Sequence, residues 1–186
     1  TAAQVNDPKA EAVLEKAVKA LGGDKYLNVK SQIGRGKFSV MRDGMTGSFQ
    51  SFLDVIVFPD KERTEFKSFG VKTVQTNVGN TGWMFDGEAQ TINEQNESQI
   101  DGFKRSVNAS LDNLLRRGWR GKAVLSYVGR REASLGKRND VVKLTYKDDE
   151  FAVEFEFSDD GMPVKSIYKR TNPEGEESKE EDRYAQ

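Results

Sequence analysis

Apolar residues in this chain recur first at helical spacing and then, over most of its length, at every second position. Ala10, Val13, Leu14, Ala17 and Leu21 share one helical face. Asp7-Pro8 supplies an N-cap and a first-turn proline, and Gly22-Gly23 supplies the stop. Asp24 can cap a short second turn through Leu27. From about Ser31 the period changes to two, with Phe38 and Val40 alternating with Lys37 and Ser39. Asp43-Gly44 is a hairpin signal. Residues 47–58 read as a long strand, apolar on both faces from Phe52 onward. Pro59-Asp60 turns the chain into a hairpin of 62–69 and 71–78. Gly79-Asn80 then leads into a short strand at 82–87, with 89–92 pairing back.

Helical spacing then returns. Asn96 and Gln99 have the spacing of a capping box, and Ile100, Phe103, Val107, Leu111, Leu114 and Leu115 form one apolar stripe. This predicts one long helix with Arg116 and Arg117 in its last turn and Gly118 as its stop. Strands follow at 122–132, 140–146, 150–158 and 164–170, with turns at Lys147-Asp148-Asp149 and Asp159-Asp160-Gly161. Phe151, Val153, Phe155 and Phe157 alternate with Ala152, Glu154 and Glu156, which predicts a half-buried strand, aromatic inward and acidic outward. No crossover helices separate the strands, so the sheet is expected to be antiparallel. A sheet of about 9–11 strands twists and curls. The predicted fold is α+β: a curled antiparallel half-barrel with an N-terminal helix and one long helix covering the concave face. Residues 1–186 read as a single domain, with an acidic, polar tail from Pro173 to the end (173–186) that is expected to fray.

Composition narrows the chemistry. The chain has 186 residues, a single-domain length, with no Cys and no His. Those zeros exclude Ser-His-Asp triads, Cys nucleophiles paired with His, and Cys/His zinc sites. Lys and Arg (29) nearly balance Asp and Glu (30), so the net charge of -1 gives no global pull toward nucleic acid or membrane. No apolar run is long enough for a spanning helix. Thr1-Ala2-Ala3-Gln4 looks like the small polar leader left by signal cleavage, which predicts a periplasmic or secreted protein. Ser166 and Lys169 match an S-x-x-K string, but in a strand they point to opposite faces. The acidic turns at Asp148-Asp149-Glu150 and Asp159-Asp160-Gly161 lack the ligand pattern of a calcium loop. No catalytic residue, metal site or cofactor is predicted.

Binding is the remaining possibility. An apolar cavity gains about 25 cal/mol per Å2 when it takes an acyl chain out of water. The residues predicted to line one are Phe38, Val40, Val55, Val57, Phe66, Trp83, Phe85, Phe151, Val153, Phe155 and Phe157. Phe103, Val107, Leu111 and Leu114 of the long helix face them. Arg116, Arg117, Trp119 and Arg120 open a basic stretch that can meet an anionic headgroup or a partner. No nucleic-acid motif accompanies these charges.

Four stretches carry a family resemblance. They are Ala20-Leu21-Gly22-Gly23 with Leu27 and Val29-Lys30-Ser31; Phe58-Pro59-Asp60-Lys61-Glu62-Arg63-Thr64-Glu65; the Gly79 to Gly87 hairpin containing Trp83 and Asp86; and Ser158-Asp159-Asp160-Gly161-Met162-Pro163-Val164. In this order the chain resembles the LolA-like superfamily of lipoprotein carriers and related envelope lipid-binding proteins. The resemblance implies an unclosed half-barrel with helices in its mouth. It also implies carriage of a lipid or the acyl chain of a lipoprotein through the periplasm, with envelope membrane proteins as donor or acceptor. Phe58 stands where the lipoprotein carriers have an arginine, so a paralogue with another cargo is expected. The alternative is an envelope structural or interaction module with a filled core and no small-molecule ligand. The oligomeric state stays open.

Overall fold

The computed structural model describes residues 7–42, 45–148, 151–171 and 177–184. Their order begins α1 (Pro8–Ala20), α2 (Asp24–Leu27), β1 (Ser31–Arg42), β2 (Met45–Val57), β3 (Lys61–Ser68), β4 (Val71–Val78), β5 (Thr81–Asp86) and β6 (Thr91–Glu94). It continues with α3 (Glu97–Ala109), α4 (Leu111–Leu115), β7 (Ala123–Ser134), β8 (Lys137–Tyr146), β9 (Ala152–Phe157), β10 (Pro163–Thr171) and β11 (Glu177–Arg183). Every strand pairing is antiparallel. The strands form two open sheets rather than the one expected: a six-stranded meander β1 to β6, and a five-stranded sheet in the order β11-β10-β9-β8-β7. The expected turns at Asp43-Gly44 and Asp149, the Glu150 end of the acidic run and the leader Thr1 to Gln4 lie outside the described residues.

The chain packs as two compact units, 1–28 with 108–186, and 29–107. In the first, α1 begins as its sequence directs. Asp7 is extended and its side chain accepts from the Lys9 amide at 2.9 Å, with Pro8 in the first turn. Ala10, Leu14 and Ala17 of α1 are buried in a core with Leu114, Leu115, Trp119, Leu125, Val142, Leu144, Phe155 and Phe157. At Gly161 the β9–β10 turn meets α1. Its φ of +89° suits glycine, and a Cβ there would stand 3.0 Å from the Lys16 carbonyl oxygen.

Three expectations need correction here. The long helix is two helices, because Ser110 leaves helical geometry (ψ 146°) and its side chain accepts from the Asn113 amide, capping α4. The break is pinned: Asn113 donates to the Asn108 carbonyl and to the Tyr146 hydroxyl, which donates to Asn108 in turn. The tail supplies an edge strand instead of fraying over its whole length. β11 pairs with β10, and Tyr184 Oη hydrogen-bonds Ser166 Oγ at 3.0 Å. Its charged side chains suit an unpaired sheet edge. The strands expected at 122–132 and 140–146 run further and meet in a tight hairpin: Ser134 pairs with Lys137 across Leu135-Gly136, and Gly136 has φ +74°.

The second unit holds the six-stranded meander and most of α3. The predicted capping box is present: the Asn96 amide donates to Gln99 Oε1 at 2.9 Å, and the Gln99 amide to Asn96 Oδ1 at 3.0 Å. β5 and β6 are shifted slightly from expectation, with Phe85 opposite Ile92.

Candidate binding surface

The register of the six-stranded sheet sorts its side chains onto two faces. Residues paired across strands point the same way, and neighbours along a strand point opposite ways. Val55, Val57, Trp83 and Phe85 fall on one face, with Ile33, Phe49, Leu53, Val74, Val78 and Ile92. Phe38 and Phe66 fall on the other, with Phe52 and Ile56. The apolar set expected to line one cavity is therefore split, at this sheet, into two sets back to back. The Val40 side chain lies outside the described set.

The two faces differ in covering. On the first, Ile33 (63%), Phe49 (67%), Trp83 (50%) and Ile92 (71%) are exposed, while Leu53, Val55 and Phe85 are half-buried. Arg35, Lys37, Lys61, Arg63, Lys67 and Lys72 share this face against Glu65 and Glu94. Glu65 is held by Arg63 and by Lys72, and its carboxyl lies below the usual range, chiefly through the Arg63 hydrogen bond. It is an apolar surface with cations set among its apolar residues.

On the second face Phe52, Ile56 and Phe66 are half-buried against one another's strands, and Phe38 is 46% exposed. The Phe52 ring lies over Gly36, where a Cβ would stand 2.8 Å from it, and Phe38 and Phe66 meet with centroids 6.2 Å apart. Farther along, Thr64 Oγ1 lies 2.8 Å from Asp54 Oδ1 and 3.2 Å from Glu62 Oε1. Burial, then the neighbouring Asp54 carboxylate, pushes the Glu62 carboxyl up.

The remaining predicted cavity residues lie elsewhere. Phe151, Val153, Phe155, Phe157 and Leu114 are 0–6% exposed in the core of the first unit, packed with α1 side chains. Leu111 packs against that core half-buried, and Phe103 and Val107 are half-buried on α3. In the first unit, the space under the β9 aromatics is taken by protein.

The predicted headgroup contact is mostly committed internally. Trp119 is 1% exposed and donates from Nε1 to the Leu114 carbonyl, so it cannot reach a headgroup. Arg116 binds Asp112, the Leu27 and Tyr26 carbonyls, and stacks 4.7 Å over the Tyr26 ring. Burial and a hydrogen bond to Asp112 raise the Tyr26 phenol above its ordinary value. Arg117 pairs with Glu11 at 2.9 Å, and burial lowers its guanidinium's pKa. Arg120 remains exposed, 3.8 Å from Glu11.

The acidic face of β9 also departs from expectation. Glu156 is 2% exposed, held by Arg131 (2.8 Å), Asn139 (3.1 Å) and Lys165 (3.5 Å), while Arg131 also takes Glu154. Alternation placed Glu156 outward correctly, but the long cationic side chains of neighbouring strands cover it. Sequence reading also missed Ile33, Phe49, Leu53 and Ile92. Their signal was the register: Ile33 and Ile92 sit across from Val55 and Phe85, Leu53 lies two residues from Val55, and Phe49 continues the same alternation along β2.

No family model matches the chain, and no curated protein does. Solved structures do. A DUF1329 family protein from Desulfovibrio piger matches 92% of this chain and 76% of its own, at 14% identity and a TM-score of 0.57. MucB in complex with MucA (the periplasmic part) matches at 19% identity and TM-score 0.34. The Pseudomonas aeruginosa MucA/MucB complex matches at 17% and 0.32. This chain spans just over half of each of those two, 53% and 55%. The DUF1329 likeness is one of fold, and it supports an α+β architecture of open antiparallel sheets for this chain.

Proposed function

We propose that this chain is a non-catalytic binding protein of the bacterial periplasm that carries a lipid or acylated cargo. In this reading the cargo lies on the apolar, cation-studded face of the six-stranded sheet, not beneath the aromatics of β9. One observation carries it: Ile33, Phe49, Trp83 and Ile92 share one face and are half or more exposed. Fully burying one such side chain is worth about 1.5–3 kcal/mol, so several together suffice for micromolar affinity. Arg35, Lys37, Arg63 and Lys67 on the same face suit an anionic amphiphile. The periplasmic location rests on the LolA-like resemblance.

The chain's two tryptophans make the test direct. Trp83 is half-exposed and Trp119 is buried, so a cargo on this face should shift Trp83 emission to the blue and leave Trp119 unchanged. Titration with lysophosphatidylglycerol below its critical micelle concentration is expected to give that shift. The variant Trp83→Phe, read by calorimetry, should bind nearly as tightly, whereas Ile33→Ser with Ile92→Ser should weaken binding by about tenfold or more. Saturating amphiphile with no emission change and no heat would reject the reading.

The filled core under β9 favours a second reading, an envelope interaction module that uses the same open face for a protein. It would give no response to any amphiphile while Ile33→Ser with Ile92→Ser still abolished complex formation with the partner.

A further inference from the structure

The β7–β8 hairpin ends in a feature that cargo binding on the other sheet does not use. Leu135 occupies the first position of its two-residue turn and is 98% exposed. Just behind it lies a cavity of about 230 Å3 lined by Arg130, Glu132, Gly136, Lys137, Arg138 and Asp159. Arg130 lines it, part-exposed and already partnered. It pairs with Asp159, lies 3.6 Å from Asp140, and donates to the Arg138 carbonyl at 2.7 Å. Lys137 and Arg138 are exposed and make no ion pair among the described residues. Arg131, next along β7 and on its other face, is spent on Glu154 and Glu156.

We infer that this hairpin tip docks on an anionic bilayer, with Leu135 in the acyl region and a lipid phosphate in the cavity against Lys137 and Arg138. The volume is below that of drug-sized pockets and fits a headgroup fragment. With Arg130 and Asp159 paired to each other, Lys137 and Arg138 against the single carboxylate Glu132 leave the lining net positive, which suits a phosphodiester, whose negative charge sits on acceptor oxygens only. A single protruding leucine flanked by basic residues has the arrangement of a shallow interfacial anchor. It lacks the broad apolar centre expected of a protein interface. In the two-residue turn the Leu135 side chain contributes nothing to the core, so its exposure has no structural purpose elsewhere in the first unit.

Flotation with vesicles tests this on the full chain. Vesicles of phosphatidylethanolamine with phosphatidylglycerol should carry the protein up, and vesicles of phosphatidylcholine alone should not. Each unpaired cation near such a surface contributes about fivefold, so Lys137→Gln with Arg138→Gln should weaken flotation by about 20-fold. Leu135→Asp should weaken it by about tenfold or more. Both variants alter exposed side chains, and their thermal midpoints should match the parent. Equal flotation on the two vesicle types, or flotation indifferent to these substitutions, overturns the proposal. So does saturable binding of inorganic phosphate that needs Lys137 while no vesicle is bound, because the cavity is then a free-anion site. Flotation lost in Ile33→Ser with Ile92→Ser but kept in Leu135→Asp would move the contact to the sheet face and overturn it as well. A failure of the amphiphile titration above leaves the flotation result standing, so the two readings fail separately.

Discussion

On β9, Phe151, Val153, Phe155 and Phe157 alternate inward and are all but sealed from water, because α1 and α4 lie over that face of the five-stranded sheet. On β5 and β6 of the other sheet, Trp83 and Ile92 alternate just as regularly, yet half or more of each is exposed. The strands are equally well paired, and the residues are equally apolar. What differs is the helix. α1 presents Ala10, Leu14 and Ala17, small and branched residues that let it lie close to the sheet. The face with Trp83 instead carries Arg35, Lys37, Arg63 and Lys67 between its apolar residues. Burying those cations would cost several kcal/mol each, so the face stays open unless an anionic occupant meets them. Apolar alternation marks which side of a strand is apolar, and the charges between the apolar residues decide whether the protein itself can cover it.

The sharpest way to break the comparison is to truncate one aromatic in each sheet. Phe155→Ala removes a fully buried ring from a packed core and should cost about 3–5 kcal/mol, measured by urea denaturation. Trp83→Ala should change stability by no more than about 0.5 kcal/mol, because the ring already stands half in water. Similar losses for the two would mean that the open face is covered in solution.

The charged sides of the sheets offer a second contrast. Arg131→Met leaves the buried Glu156 with Asn139 and the more distant Lys165, and should cost about 2 kcal/mol, below the full penalty for an unpaired buried charge. Arg63→Met removes a partner of Glu65 on the open face, where surface pairs are worth about 0–1 kcal/mol. Denaturation midpoints of the two variants in low and high salt should separate them, with salt erasing the smaller effect. Ser110→Ala is a smaller test, confined to the first unit. It removes the side-chain acceptor of the Asn113 amide and should cost about 1 kcal/mol by thermal denaturation.

The sequence carried the local rules well and the covering poorly. The Asp7-Pro8 start of α1, the Asn96–Gln99 capping box and the inward set of β9 could all be read, because each depends on residues within a few positions of one another. The division into two sheets could not, since it depends on which edge strands pair across α3 and α4. The helix break at Ser110 was not read, because the apolar stripe from Ile100 to Leu115 runs through it at unbroken helical spacing. The Tyr146 hydroxyl that helps fix it comes from β8. The mixing of Val55 and Phe66 into one site came from reading apolarity without register. The strands are apolar on both sides there, and a shift of one residue exchanges the faces.

The smallest expected effect lies on the second face of the six-stranded sheet. Thr64 has one hydroxyl proton for two carboxylates, Asp54 and Glu62, so the pair is one donor short when both are ionised. A proton on Glu62 would fill that shortage, which agrees with a carboxyl pushed up by burial and by Asp54. In the folded state Glu62 therefore holds its proton to higher pH than in the unfolded chain. Stability from this group is fully present below the ordinary glutamate range and is lost as pH rises through the raised folded value. Glu62→Gln should be more stable than the parent at neutral pH, by less than about 1 kcal/mol for a group still partly in solvent. The difference should vanish as the parent is acidified below the ordinary glutamate range. A variant less stable than the parent at neutral pH would mean that the Glu62 charge is wanted on this face, and this side of the sheet would then be the one that awaits a partner.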